Sequence, residues 1–397
     1  MNLSVFGYAM GYTVKYVQLP TLPGASGPGQ EYPSSIIFDS KNGNAYATDQ
    51  TNDTVNIISG QNDTLVGTVN LDDNSHNIFR VPNDIAFDPK SGHIYVSAQT
   101  FLYNPATNIT TDCANSSDLK CSVYEVNYKN HTIMNAIPVN HEVPGEIAFG
   151  LKNANLYILQ YTPPGASSAL KQNISVIDAK SNKLISTLNV GFGIKGLKIA
   201  FNPSNGNGYV TNDGFGYRNG SKGTVSVIDA KNNTITKKMS VGVLPYAISF
   251  NPNNGKAYIA NQDSRTVSVI DSKDRVSTIP VDGGPTDIIF NPNDSKMYLA
   301  LGEPNSIKTI NAKNTFSDSY RLKGIPNNIV VNPKNGDIYA SSSYPDMILL
   351  IHTHDKKIES IPLKMQTYRV DFNPVNEKAY VTNMINNTIA VIDTKRR

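Results

Sequence analysis

Eight residues, Ser35, Asp84, Glu146, Lys198, Ala247, Asp287, Asn328 and Arg369, share one place in a recurring frame: each stands three positions before an apolar residue, Phe in seven of the eight cases. The surroundings repeat while this position varies. Acids and bases gathered at one frame position are what a charged-ligand site needs, since general acid–base chemistry requires groups of opposed proton affinity in one small volume. Asp84, Glu146, Lys198, Asp287 and Arg369 are therefore candidate ligand-binding residues. The opposing reading is a solvated surface laced with internal ion pairs.

A second candidate group lies in three consecutive long stretches, residues 98–121, 160–173 and 211–223, which carry Phe101, Tyr103, Tyr161, Phe215, Tyr217 and Arg218 in otherwise polar sequence. Aromatics and arginine on loops compose a recognition surface. Of these, Tyr103, Tyr217 and Arg218 are the candidate anchors, because such residues carry most of the binding energy at interfaces. The opposing reading packs each aromatic back onto the scaffold.

Other chemistries find little support. The histidines, His76, His93, His131, His141, His352 and His354, fall at unrelated frame positions, so they do not converge as metal or haem ligands would. His352 and His354 read as residues of a surface turn. Asp178, Asp229, Asp271 and Asp393 recur at one turn and suit bonding to nearby backbone N–H groups. There is no Ser/His/Asp order, phosphate loop or zinc spacing. No catalytic residue, metal or cofactor is assigned.

The elements that position these residues come from a repeat. Eight copies of apolar-x-Phe, Asn-Pro or a variant, a polar turn and x-Tyr-apolar tile the chain, with frame tyrosines Tyr46, Tyr95, Tyr157, Tyr209, Tyr258, Tyr298, Tyr339 and Tyr380. The last four are 40, 41 and 41 residues apart, a period that marks a repeat architecture. In the unit 244–281, Ala247–Phe250, Ala257–Ala260, Thr266–Ile270 and Val276–Pro280 are short β-branched or aromatic runs separated by Gly, Asn, Asp and Pro. They predict a four-stranded antiparallel meander. The turn Asn251-Pro252-Asn253-Asn254-Gly255 joins the first two strands.

Each such sheet has two apolar faces and needs a neighbour on both, which a β-propeller provides. The whole chain, 1–397, is then a single all-β domain of eight blades, or seven with a divergent insert. Its last repeat ends after a third strand, Thr388–Asp393, while residues 13–19 within the segment 1–30 form an orphan strand. The expectation is that this N-terminal strand completes the last blade and removes an exposed edge.

Charged residues are 17 % of the chain and the net charge is +3, without a Lys/Arg stripe beyond Lys395, Arg396 and Arg397. This argues against nucleic acid as the partner. No apolar run is long enough for a membrane span, and the start, MNLSVFGYAMGY, lacks the charged and apolar regions of a signal peptide. Eleven Asn-x-Ser/Thr sequons, mostly in predicted turns, together with Cys113 and Cys121 bracketing ANSSDLK, point outside the cell. The two cysteines suit a local disulfide in an oxidising compartment better than a metal site.

With Tyr-Val-Thr-Asn at 209–212 and 380–383, Phe-Asn-Pro-x-x-Gly at 201–206 and 250–255, and Ser-Val-Ile-Asp at 175–178, 226–229 and 268–271, the chain resembles the YVTN β-propeller repeat family from about residue 31 onward. The resemblance implies a propeller like those of archaeal surface-layer proteins and of bacterial secreted or periplasmic proteins; related propellers include lactonases. The matching residues are turn and core residues, so they specify a fold rather than an activity. The resulting expectation is a non-enzymatic extracellular scaffold or recognition module for a protein or glycan. The alternative is a lactonase-like hydrolase or lyase acting at the channel mouth.

Overall fold

The structure is a computed structural model that describes residues 5–9, 12–20, 33–72, 77–116, 118–139, 142–150, 152–161, 171–192, 198–213, 221–383 and 387–394. Among these residues every regular element is a β-strand. The strands form eight antiparallel sheets, taken here as blades 1 to 8.

Blade 1 is Pro33–Phe38, Ala45–Asp49, Thr54–Ile58 and Leu65–Asn70, and blade 2 is Ile78–Phe87, Ile94–Asn104, Ser122–Val126 and Ile133–Pro138. Blade 3 runs from Val143–Phe149 to Lys183–Phe192 and blade 4 from Ile199–Phe201 to Thr234–Ser240. Blades 5, 6 and 7 start at Pro245–Asn251, Pro285–Asn291 and Pro326–Val331. In each, strands pair in chain order, as the sequence frame predicts.

Blade 8 joins the two ends of the chain. Its sheet orders Val5–Ala9, Tyr12–Gln18, Thr388–Asp393, Lys378–Asn383 and Thr367–Asn373. The predicted closure strand is thus present, shifted by one residue, with Thr13 opposite Asp393 and Gln18 opposite Thr388. An additional fifth strand, which the repeat frame does not contain, lies outside it.

Two compact units are distinguished. One comprises Met1–Phe149, Ala154–Asn189 and Asn373–Arg397, the other Gly150–Asn153 and Val190–Phe372. In the first, Val17, Leu19, Ile36, Ala45, Ile58, Tyr380, Ile389 and Val391 form one buried cluster, so the terminal strands share a core with blade 1. In the second, Tyr258, Val267, Val269, Ile288, Leu299 and Ile310 join blades 5 and 6 in the same way.

The frame residues are explained by these blade junctions. All eight frame tyrosines are buried, and several carry the hydroxyl to a neighbouring blade's outer turn: Tyr258 Oη donates to Asn314 Oδ1 at 2.9 Å and Tyr95 Oη to the Ala179 carbonyl at 3.3 Å. A tyrosine buries a large apolar ring while its hydroxyl still requires a partner, which makes it a wedge with a fixed depth. The Asn of four frame Asn-Pro turns, Asn202, Asn251, Asn291 and Asn373, works similarly. Its Oδ1 accepts from its own turn, and its Nδ2 reaches the next blade: Asn291 to the Gly336 carbonyl at 2.8 Å, and Asn373 to the Gly43 carbonyl at 2.6 Å. Gly43 and Gly336 have φ of 74° and 79°, a conformation that glycine adopts without a Cβ clash.

Candidate functional site

The inner strand of most blades is bulged at its start. Register shifts lie between Pro33 and Ile36, Pro82 and Asp84, Pro144 and Ile147, Pro245 and Ala247, Pro285 and Asp287, and Pro326 and Asn328. A bulge turns the strand and re-aims the residues beside it. The variable frame position therefore sits directly after a kink, half-buried except for the buried Ser35 and Ala247.

At this position the acids are tied into the scaffold. Asp84 Oδ1 accepts from Ser35 Oγ of blade 1 at 2.5 Å, and its Oδ2 accepts from the Ile147 amide of blade 3 at 2.9 Å. Asp287 follows the same rule: its Oδ2 accepts from the Ile329 amide and from Asn328 Nδ2, both at 2.9 Å. Asn328 in turn accepts from the Val370 amide at 3.1 Å. The bulge residues add a second bond at two of these junctions, Asn83 Nδ2 to the Pro144 carbonyl at 2.6 Å and Thr286 Oγ1 to the Pro326 carbonyl at 2.9 Å. Carboxylates that accept two or more such bonds are committed as joints between blades.

Electrostatics distinguish one further residue. Burial pushes the Asp287 carboxyl above the usual range, against the hydrogen bonds from Ile329, Asn328 and Ile288 and the attraction of Lys198. Lys198, just before the first strand of blade 4, gives the smallest of these effects. Asp371 is also raised by burial, with Arg369 opposing. It accepts a hydrogen bond only from its own strand's Phe372 amide, at 2.8 Å, and has no joint to another blade among the described residues. Asp371 is half-buried.

Asp371 is not at the variable frame position, although the sequence holds a signal for it. Two positions after the variable residue, the other repeats have Ile37, Ala86, Ala148, Ala200, Ser249, Ile289 and Val330. A carboxylate among seven apolar or small residues is an outlier. Residues i and i+2 of a strand share a face, so Asp371 extends the side that Arg369 opens.

The loop candidates divide unevenly. Tyr217 and Arg218, with Phe215, lie outside the described residues. In blade 2 the second strand continues to Asn104 and returns as Ile109–Asp112, making a three-stranded extension with Ile78–Val81. Phe101 pairs with Phe79, and Tyr103 donates its hydroxyl to Asn108 Oδ1 at 3.0 Å. Leu102 is 38 % exposed and Ile109 57 % exposed on this extension. Its base is fixed by the Cys113–Cys121 disulfide, buried in a cluster with Leu119, Val123, Ile147 and Leu156. Tyr161, on blade 3, is exposed.

The remaining candidates are structural. Asp178, Asp229 and Asp271 each accept from the amide two residues on, at 2.8, 2.9 and 2.9 Å; these bonds hold the Asp178 and Asp229 carboxyls low, and that of Asp271 is lowered to about 2 chiefly by the backbone and side-chain bonds from Arg275. His352 lies against Asp337 at 3.0 Å and His354 is exposed in the adjoining turn. Among the described residues no group of His, Cys, Asp and Glu is arranged to hold a metal. No helix of the described residues is long and apolar enough to cross a membrane.

No family model and no curated protein matches the chain. Solved structures do. The chain is similar to virginiamycin B lyase from Staphylococcus aureus, at 10 % identity and TM-score 0.52, covering 97 % of this chain and 100 % of that one. A streptogramin B lyase matches at 13 % identity and TM-score 0.54, covering 97 % and 98 %. Hydrazine synthase from Kuenenia stuttgartiensis matches at 14 % identity and TM-score 0.58, covering 95 % and 100 %. At such identities the likeness concerns the fold alone: an all-β β-propeller of eight four-stranded blades, with an extra strand in blade 2 and in blade 8.

Proposed function

We propose that this protein is a non-enzymatic, extracellular or cell-surface recognition module of the YVTN-repeat kind that meets a protein or glycan on the face of its second-to-third-strand loops. The observation that supports this most is the blade 2 extension, which carries exposed Leu102 and Ile109 beside Tyr103 on a base held by a buried disulfide. A rigid support lowers the ordering cost of binding. Asp84 and Asp287, by contrast, are engaged in joining blades. The disulfide also fits an oxidising compartment.

The test compares parent protein with a Leu102→Ser, Tyr103→Ala, Ile109→Ser variant, both immobilised, against envelope fractions of the source cells. Protease-treated and periodate-treated aliquots separate protein from glycan partners. A folded variant should bind at least about ten-fold less, a loss of roughly 1.4 kcal/mol or more. Equal binding by the two proteins would overturn the reading.

A second reading, a lyase or hydrolase at the channel mouth, is favoured by the Lys198–Asp287 interaction, the unjoined Asp371 and the names of two structural neighbours. Propeller inner strands face a central channel, where these groups would act. Incubation with virginiamycin B, followed by mass spectrometry, tests it. Conversion that disappears in Asp371→Asn would establish an enzyme.

A further inference from the structure

The sequence holds eleven Asn-x-Ser/Thr sequons, and the structure describes eight of the acceptors. Attaching an N-linked glycan joins the asparagine Nδ2 to a sugar carbon, so an acceptor must be exposed and its nitrogen must be free. The eight residues differ sharply in this respect.

Five have committed nitrogens. Asn52 is buried and donates to Asp49 Oδ2 at 2.9 Å. Asn173 is half-buried and donates to Glu142 Oε1 at 2.6 Å. On the surface, Asn115 donates to Asp112 Oδ1 at 2.9 Å, Asn232 to Asp229 Oδ2 at 2.7 Å and Asn293 to the Lys334 carbonyl at 3.1 Å. Four of these five bonds end on carboxylates, and hydrogen bonds to charged acceptors are the stronger kind.

The other three, Asn62, Asn108 and Asn130, are exposed and use only the oxygen of the amide. Asn62 Oδ1 accepts from Thr64 Oγ1 at 2.6 Å, Asn130 Oδ1 from Thr132 Oγ1 at 2.9 Å, and Asn108 Oδ1 from the Tyr103 hydroxyl at 3.0 Å. Their Nδ2 atoms have no hydrogen bond among the described residues. Asn62 and Asn130 occupy corresponding turns, between the third and outer strands of blades 1 and 2, and Asn108 is at the tip of the blade 2 extension. Bulk attached at any of the three projects away from the packed sheets.

We propose that Asn62, Asn108 and Asn130 are N-glycosylation sites and that the other five described sequons remain bare. This rests on the extracytoplasmic reading given above. In the transfer, a bond forms between Nδ2 and C1 of an oligosaccharide carried on a polyprenyl phosphate or diphosphate. The bond from C1 to the phosphate oxygen breaks, the phosphate leaves with the electron pair, and the transferase takes the Nδ2 proton. A glycan at Asn52 would displace a buried bond and at Asn173 a half-buried one, whereas at the three free acceptors no bond of the nitrogen is lost.

The experiment secretes the full chain from a yeast host and maps occupancy at each sequon of the folded product by glycopeptide mass spectrometry. Occupancy several-fold higher at Asn62, Asn108 and Asn130 than at any of the five is expected. A triple Asn→Gln variant at the three should lose those glycans and keep its melting temperature. Glycan on the five, or bare nitrogens at the three, overturns the choice of acceptors. Mapping protein from its own source cells separates the underlying reading: a bare native chain, beside the expected yeast pattern, overturns the extracytoplasmic location and modification in that cell, and leaves the acceptor choice standing.

Discussion

Replacing Asp53 by Asn is expected to stabilise the protein most at pH 8, by less than half as much at pH 5, and hardly at all below about pH 4. Asp53 is 5 % exposed in the turn between the second and third strands of blade 1, at φ 53°. Burial raises its carboxyl pKa from 3.8 to about 7, with Asp72 and Asp49 adding repulsion and Arg80 giving back only part. A folded pKa above the unfolded one means that the protonated form is the one that favours folding. The contribution is full below about pH 4 and is lost as pH rises through about 7. That displacement corresponds to about 4 kcal/mol of cost carried by the ionised group at pH 8.

Asparagine removes the charge and keeps the shape. It also suits the backbone, since Asn305 and Asn387 hold φ of 52° and 46° in the same turn of other blades. Relaxation and water at the site reduce the gain to about 2 to 4 kcal/mol. Unfolding entropy for 397 residues is roughly 0.8 kcal/mol per kelvin, so the melting temperature should rise by about 2 to 5 °C at pH 8. Calorimetry of both proteins at pH 5, 6.5 and 8 measures this. A gain independent of pH, or a loss at pH 8, would refute the assignment of a raised carboxyl.

Three further outcomes follow from the joints. Deleting residues 1–20 removes the strand opposite Thr388–Asp393 and uncovers Ile389 and Val391, so the melting temperature should fall by more than about 5 °C; an unchanged melting curve would refute closure by the N-terminal strand. Asn373→Ala breaks a buried bond to the Gly43 carbonyl and should cost about 1 to 3 kcal/mol in denaturant unfolding, while Asn376 on the surface side of the same turn should cost less. Asp371→Asn, which removes an ionised group that burial disfavours, should raise the melting temperature at pH 7 and lose that advantage in acid, by the same sign as for Asp53; a destabilised variant would mean that the carboxylate is a joint after all.

Local pattern, by itself, determined the blades. Period-two runs of β-branched and aromatic residues separated by Asn, Gly and Pro need no distant partner to specify a meander, and repetition at 40 to 41 residues extended one reading over eight copies. The closure strand was legible for the same reason, as the one strand missing from the count. What the tertiary structure alone decided is the use of each side chain. Asp84 and Asp287 have the residue type of a binding site, but whether a carboxylate meets a ligand or a backbone amide depends on what the next blade presents, 63 residues away for Asp84 and 42 for Asp287. Asp371, identical in chemistry, meets no such amide. Sequence spacing carries the strand and its facing direction; the partner across a blade junction is set by how neighbouring sheets pack, and that decides which charges are spent on the fold.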